Sequence, residues 1–331
     1  MIDAYLPEIF LCLMGLSILI YAVLDGYDLG VGMTMPMANE AHRDKMIASI
    51  GPFWDANETW LVLAIGILLI AFPFAQSIIF TALYFPTFLM LVGLILRGVS
   101  FDFRAKAKDH HKYRWDLLFK AGSWLTALTQ GYMLGRYVMG FEAGFGPQFF
   151  ALLSALCVSA AYSYIGSAWL VMKATGALQK QAAKIGRRAG WMATLGMLSI
   201  SIANPLISDV VFERWFSLPA LFLLATIPFM CIVLIISVDR YLAHVPTYKD
   251  IGCWFPFVAV TLVFMLNFLA LAYSFYPQII PGVMSAQEAA SATASLKVIF
   301  YGVAVVLPFI LLYTALAYRI FWGKTKDLTY S

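Results

Sequence analysis

Apolar runs of membrane-spanning length recur along this chain from end to end, and nothing else constrains its fold as strongly. A helix needs about 20 apolar residues, at about 1.5 Å each, to cross the hydrocarbon core of a bilayer. Nine stretches read this way: about 8–35, 50–73, 77–102, 116–138, 148–172, 189–208, 217–241, 253–277 and 295–322. The first and third are long enough to tilt or run past the hydrocarbon. Composition agrees, with 62% apolar and 12% charged residues, against about 45–50% and about 25% in soluble domains. A transmembrane barrel would instead show short alternating strands. The fold class expected is an all-α polytopic membrane protein, one integral membrane domain over 1–331.

Acids at Asp3 and Glu8 stand where a secretory leader carries positive charge, so no cleaved leader is expected. The loops are too short for an extramembrane catalytic domain. They contain no Gly-rich nucleotide loop, HExxH or Walker sequence, and no nucleic-acid partner is expected.

The basic residues set an orientation. Arg43 and Lys45 follow the first span, and Arg104, Lys106, Lys108, Lys112, Arg114 and Lys120 surround the turn between the third and fourth. Lys173, Lys180, Lys184, Arg187 and Arg188 separate the fifth and sixth, and Arg240 and Lys249 the seventh and eighth. Arg319, Lys324 and Lys326 close the chain. With nine spans, 18 of the 22 Lys and Arg fall on one side, and the positive-inside rule makes that side cytoplasmic. The N-terminus is then outside and the C-terminus inside.

Against this background a few charges fall within the spans. An Asp at the centre of a membrane helix costs roughly 2.5–3.5 kcal/mol on insertion scales. The first span carries Asp25 and Asp28, and the second carries Asp55 and Glu58, each pair at i, i+3 and so on one helix face. The third has Arg97, followed by Asp102. Orientation puts all of them toward the cytoplasm, on three consecutive antiparallel helices. Two uses fit such a cluster. One is an ion-pair knot that fixes helix register, with Arg97 answering one or two carboxylates. The other is a proton or cation path, favoured for Asp55 and Glu58 because one arginine cannot neutralise four acids.

Histidine is informative by its positions. His42, His110, His111 and His244 all fall in cytoplasmic loops or at span ends, whereas a membrane haem needs ligands within spans. No haem held by this chain's own side chains is expected. Cys12, Cys157, Cys231 and Cys253 form no CxxC pair and read as small apolar filler. Trp54 and Trp60 flank the second acid pair, where interface anchoring and packing against a neighbouring cofactor both fit.

DGYDLGVGM at Asp25–Met33, GPFWDANETWL at Gly51–Leu61, RGVSFDFR at Arg97–Arg104 and PFILLYT at Pro308–Thr314 resemble subunit II of the cytochrome bd quinol oxidases. The compact length is closer to the cyanide-insensitive branch. The resemblance runs in order along the whole chain, and its first three motifs together are specific.

It implies two four-helix bundles plus one peripheral helix, assigned here to about 1–138 and 189–331 with 148–172 peripheral. It implies a heterodimer with a homologous subunit I, which carries two b haems, haem d and the quinol-oxidising loop. The complex would oxidise quinol at the outer face of a bacterial cytoplasmic membrane and reduce O2 to water with cytoplasmic protons. The family also admits a structural quinone in this subunit and a small third subunit. Asp28 and Asp55 match family acids tied to haem assembly and to a proton pathway. Trp54, Asn57 and Trp60 match a W-D-x-N-x-x-W pattern, and Glu58 stands where other members can carry Gln. A proton-coupled secondary transporter built on the same acids is the alternative. It would work without a haem-bearing partner.

Overall fold

The computed structural model describes residues 2–207, 209–218 and 220–325. Positions 208 and 219, within or beside expected spans, and Lys326 lie outside the described residues. The helices are α1 (Leu6–Thr34), α2 (Glu40–Ile50), α3 (Trp54–Ala71), α4 (Pro73–Lys106), α5 (Asp109–Val138) and α6 (Phe145–Lys173). They continue with α7 (Gly176–Ile207), α8 (Asp209–Phe216), α9 (Ala220–Ala243), α10 (Phe255–Phe275), α11 (Ala286–Ala289) and α12 (Thr293–Ile320). A two-stranded antiparallel ribbon, β1 (Gln278–Ile280) and β2 (Met284–Ser285), is the only sheet among the described residues. The architecture is an all-α polytopic membrane fold.

Seven helices among the described residues are long and apolar enough to cross a membrane: α1, α3, α4, α6, α9, α10 and α12. The spans expected over 116–138 and 189–208 fall on α5 and, as far as Ile207, on α7, long helices that begin with polar extensions. Residues 109–114 of α5 read DHHKYR, and 179–188 of α7 read QKQAAKIGRR. The linker between the first two expected spans is not a plain loop. It holds α2, whose first turn is capped by Asn39, the side-chain oxygen accepting from His42 N at 3.0 Å.

Local chemistry explains several boundaries. Pro73 opens α4 immediately after α3 ends, because proline fits a first helical turn and lacks the N–H an ongoing helix would need. Pro86, Pro228 and Pro308 fall inside helices, each removing one backbone bond.

Helices α1, α3, α4 and α5 pack as one group and α6, α7, α9 and α10 as a second, with α6 joining them through α1 and α5. The expected peripheral helix, 148–172, is therefore misplaced. It corresponds to α6, which is the most enclosed of the membrane-length helices. Small residues are the reason. Gly131 and Gly135 of α5 and Gly166 of α6 sit at backbone crossings where a Cβ would meet a neighbouring main-chain atom at 2.5–2.6 Å. The outermost position belongs to α12, which buries Leu296 alone. Of the four cysteines, all free, only Cys231 is fully buried and Cys12 is exposed.

Candidate functional site

Where α1, α3 and α4 meet, three acids converge on one guanidinium. Asp25, Asp28 and Arg97 are each 0% exposed. Arg97 Nη1 lies 2.5 Å from Asp25 Oδ1, and Arg97 Nη2 lies 4.0 Å from Asp28 Oδ2 and 3.5 Å from Glu58 Oε1. Opposite charge holds the group together, most closely at the Arg97–Asp25 pair. One arginine thus faces three carboxylates, more negative charge than it balances.

The first turn of α3 explains how the acids are graded. Asp55, Asn57 and Glu58 point in different directions around it, at about 100° per residue. Asn57, 1% exposed, faces α1. Its Nδ2 is 2.8 Å from Asp28 Oδ2, 3.0 Å from Tyr27 Oη and 3.3 Å from Leu24 O. Glu58 lies at the edge, with 28% of its side chain exposed. Asp55 faces outward in the first turn of α3, where the N-terminal partial charge of the helix favours an acid, and makes no ion pair among the described residues. The exposure falls from Asp55 through Glu58 to Asp25 and Asp28.

Two polar extensions leave the cluster. Tyr27 Oη is 2.7 Å from Tyr318 Oη, which brings α12 to the site, and Tyr318 also donates to Asn57 Oδ1 at 3.4 Å. Toward the N-terminal half of α1, Tyr21 lies one turn before Asp25. It accepts from Gln130 Nε2 at 2.6 Å, and Tyr162 donates to Gln130 Oε1 at 2.8 Å. The PFILLYT motif contributes none of this: Phe309, Leu312 and Tyr313 are 58–68% exposed.

Trp54 and Trp60 pack inward. Trp60 is 2% exposed, and the Trp54 ring stands 4.9 Å from that of Phe101. Asp102 does not join the cluster, being exposed and without an ion pair among the described residues. Sequence reading missed its neighbour in role. Asp116, 0% exposed, accepts from Arg43 Nε at 2.7 Å and Arg104 Nε at 2.5 Å, while Arg104 Nη2 reaches Asp44 Oδ1 at 2.6 Å. A lone acid at the membrane entrance of a span crowded with basic residues was the available signal. This second knot ties α2, α4 and α5 together.

The residues do not fit a haem ligated by this chain. His110 and His111 are exposed at the head of α5, and exposed His244 places Nδ1 2.7 Å from Arg240 O at the end of α9. His42 is on α2, outside the membrane-length helices. Among the described residues no group of three or more His, Cys, Asp or Glu is placed to hold a metal ion.

A multi-span helical protein that buries a charge cluster among its helices is the class this geometry defines. A family model described as "Cytochrome bd terminal oxidase subunit II" matches residues 6–321, and the chain belongs to that family. Cytochrome bd-I ubiquinol oxidase subunit 2 of Escherichia coli strain K12 is 28% identical, over 95% of this chain and 94% of the relative. The probable cytochrome oxidase subunit 2 of Haemophilus influenzae is 27% identical, over 92% and 90%. The fold is similar to that of a chain in the structure of bd oxidase from Geobacillus thermodenitrificans. The TM-score is 0.77 at 19% identity, covering 96% of this chain and 98% of that one. This chain is accordingly a subunit of a bd-type terminal oxidase complex.

Proposed function

We propose that this chain conducts protons from the cytoplasm toward a haem-bearing subunit I, in a bacterial cytoplasmic membrane, as quinol is oxidised and O2 reduced to water. The observation that carries this is the graded exposure of four acids, from Asp55, exposed one turn before Glu58, through Glu58 to Asp25 and Asp28, the last three gathered on Arg97. Asp55 takes up a proton at the surface and Glu58, one turn on, passes it inward. Asp25 and Asp28 hold it between their carboxylates, beside Arg97, whose fixed positive charge keeps the site from carrying its full negative charge. Asn57 fixes the orientation of the Asp28 carboxylate. Two b haems and haem d would be held by the partner and would supply electron transfer from quinol to O2. The assignment of nine spans, with the N-terminus outside and the C-terminus inside, rests on the basic loops. It puts the cluster in the cytoplasmic half of the bilayer.

The haem-bearing partner that this proposal requires is tested by purifying the native complex through a tag on this chain and recording its reduced optical spectrum. The expected result is a haem d band and a co-purifying larger subunit. A colourless homo-oligomer would overturn the proposal in favour of a proton-coupled transporter.

A further inference from the structure

Away from the acid cluster, the cytoplasmic ends of α7 and α9 enclose a cleft of about 510 Å³. Its walls carry Lys180, Lys184, Arg187 and Arg188 against a single acid, Asp239. Arg187 is committed to that acid, with Nε 2.9 Å and Nη2 3.3 Å from its two oxygens. Lys180, Lys184 and Arg188 are exposed and have no ion pair among the described residues. Three cations therefore remain for an outside anion.

The pattern continues along α7. Lys180, Lys184, Arg187, Arg188 and Trp191 are followed by Leu195, Leu198 and Ile202, all within a stripe of about 100° on the helix. Trp191 is 50% exposed, Leu195 66%, Leu198 39% and Ile202 62%. The stripe thus reads, in order along the helix axis, cationic, then amphipathic aromatic, then apolar. That is the polarity profile of one phospholipid leaflet: phosphate, interface, acyl chain. A soluble anion would use the first part and leave the rest of the stripe without a role.

We infer that this α7–α9 cleft is a binding site for an anionic phospholipid, its phosphodiester held by Lys180, Lys184 and Arg188 and its acyl chain lying along Trp191 to Ile202. The bidentate Arg187–Asp239 pair joins the two helices and keeps the cleft in shape. The inference rests on the membrane reading and not on the proton path, so the two can fail separately.

The test uses the tagged native complex in detergent, with native mass spectrometry counting retained lipid. Phosphatidylglycerol, phosphatidylcholine and inorganic phosphate are offered as separate probes. The expected result is phosphatidylglycerol retention that phosphatidylcholine does not reproduce and that inorganic phosphate does not displace. Lys184→Gln combined with Arg188→Gln should weaken it roughly 30-fold. The charge-conserving pair Lys184→Arg and Arg188→Lys should keep it. The haem spectrum reports that each complex is intact. Equal retention in the Gln variant, equal retention of phosphatidylcholine, or displacement by inorganic phosphate would overturn the proposal.

Discussion

Arg97 is the residue on which the cluster depends. Burying a carboxylate without a counter-charge costs several kcal/mol, and here two fully buried carboxylates face the same guanidinium. Replacing Arg97 with Gln should destabilise the complex by about 3–5 kcal/mol, read as a lowered thermal midpoint. Adding Asp25→Asn to that variant should recover part of the loss, because it removes one stranded charge. Wild-type stability in Arg97→Gln would show that the contact is incidental. Much of this site was legible in the sequence, since acids and an arginine inside apolar runs are too costly to be incidental. Asp25, Asp28, Glu58, Asn57 and Arg97 do meet. The exposure of Asp55 and the separation of Asp102 were not legible, because spacing along a helix gives relative direction but not which direction faces the core. Asp116 was missed for a related reason: its two arginine partners come from segments 73 and 12 residues away.

At the scale of elements, the crossing of α1 and α6 is the closest in the molecule to fail on a single methyl group. A Cβ at Gly30 would land on the carbonyl of Tyr162, and one at Gly166 would come within 2.5 Å of the Gly30 carbonyl carbon. Gly30→Val should therefore abolish accumulation of the complex in the membrane, whereas Gly66→Val, where a Cβ meets nothing within 4 Å, should not. Immunoblots of membrane fractions distinguish the two. The same small residues account for the misplacement of 148–172. That span is rich in Ser and Ala, with Gly166 at the closest crossing, which lets neighbours approach on several sides, but hydropathy registers only that it is apolar. Near the other end, Ser285 and Glu288 form a reciprocal cap on α11, and the Ser285 backbone N–H and side-chain hydroxyl hold the Glu288 carboxyl below its ordinary pKa. A lowered folded-state value means that the cap contributes above the ordinary glutamate pKa and is lost as the pH falls through the lowered one. Hydrogen exchange in residues 278–289 should accelerate over that acid range, and Glu288→Gln should remove the step. An unchanged pH profile in Glu288→Gln would show that the cap does not govern the loop.

As a whole molecule, the chain presents much apolar surface, including Tyr84, Phe85, Phe88 and Ile95 on α4 and most of α12. Lipid and a partner subunit are the surroundings that suit such a surface. Nine hydropathy runs and the basic loops were sufficient to read an all-α membrane protein. How the helices group was not readable, because that depends on close backbone approaches with no hydropathy signature. The proposed proton path starts at exposed Asp55 and ends at buried Asp25 and Asp28, and so runs from surface to interior. The most direct test is quinol-driven oxygen consumption by the purified complex carrying Glu58→Gln or Asp55→Asn, with the haem spectrum recorded on the same sample. Loss of a proton-transfer group predicts turnover slowed by ~10-fold or more with the spectrum unchanged. Wild-type turnover with an intact spectrum in both variants would contradict the account.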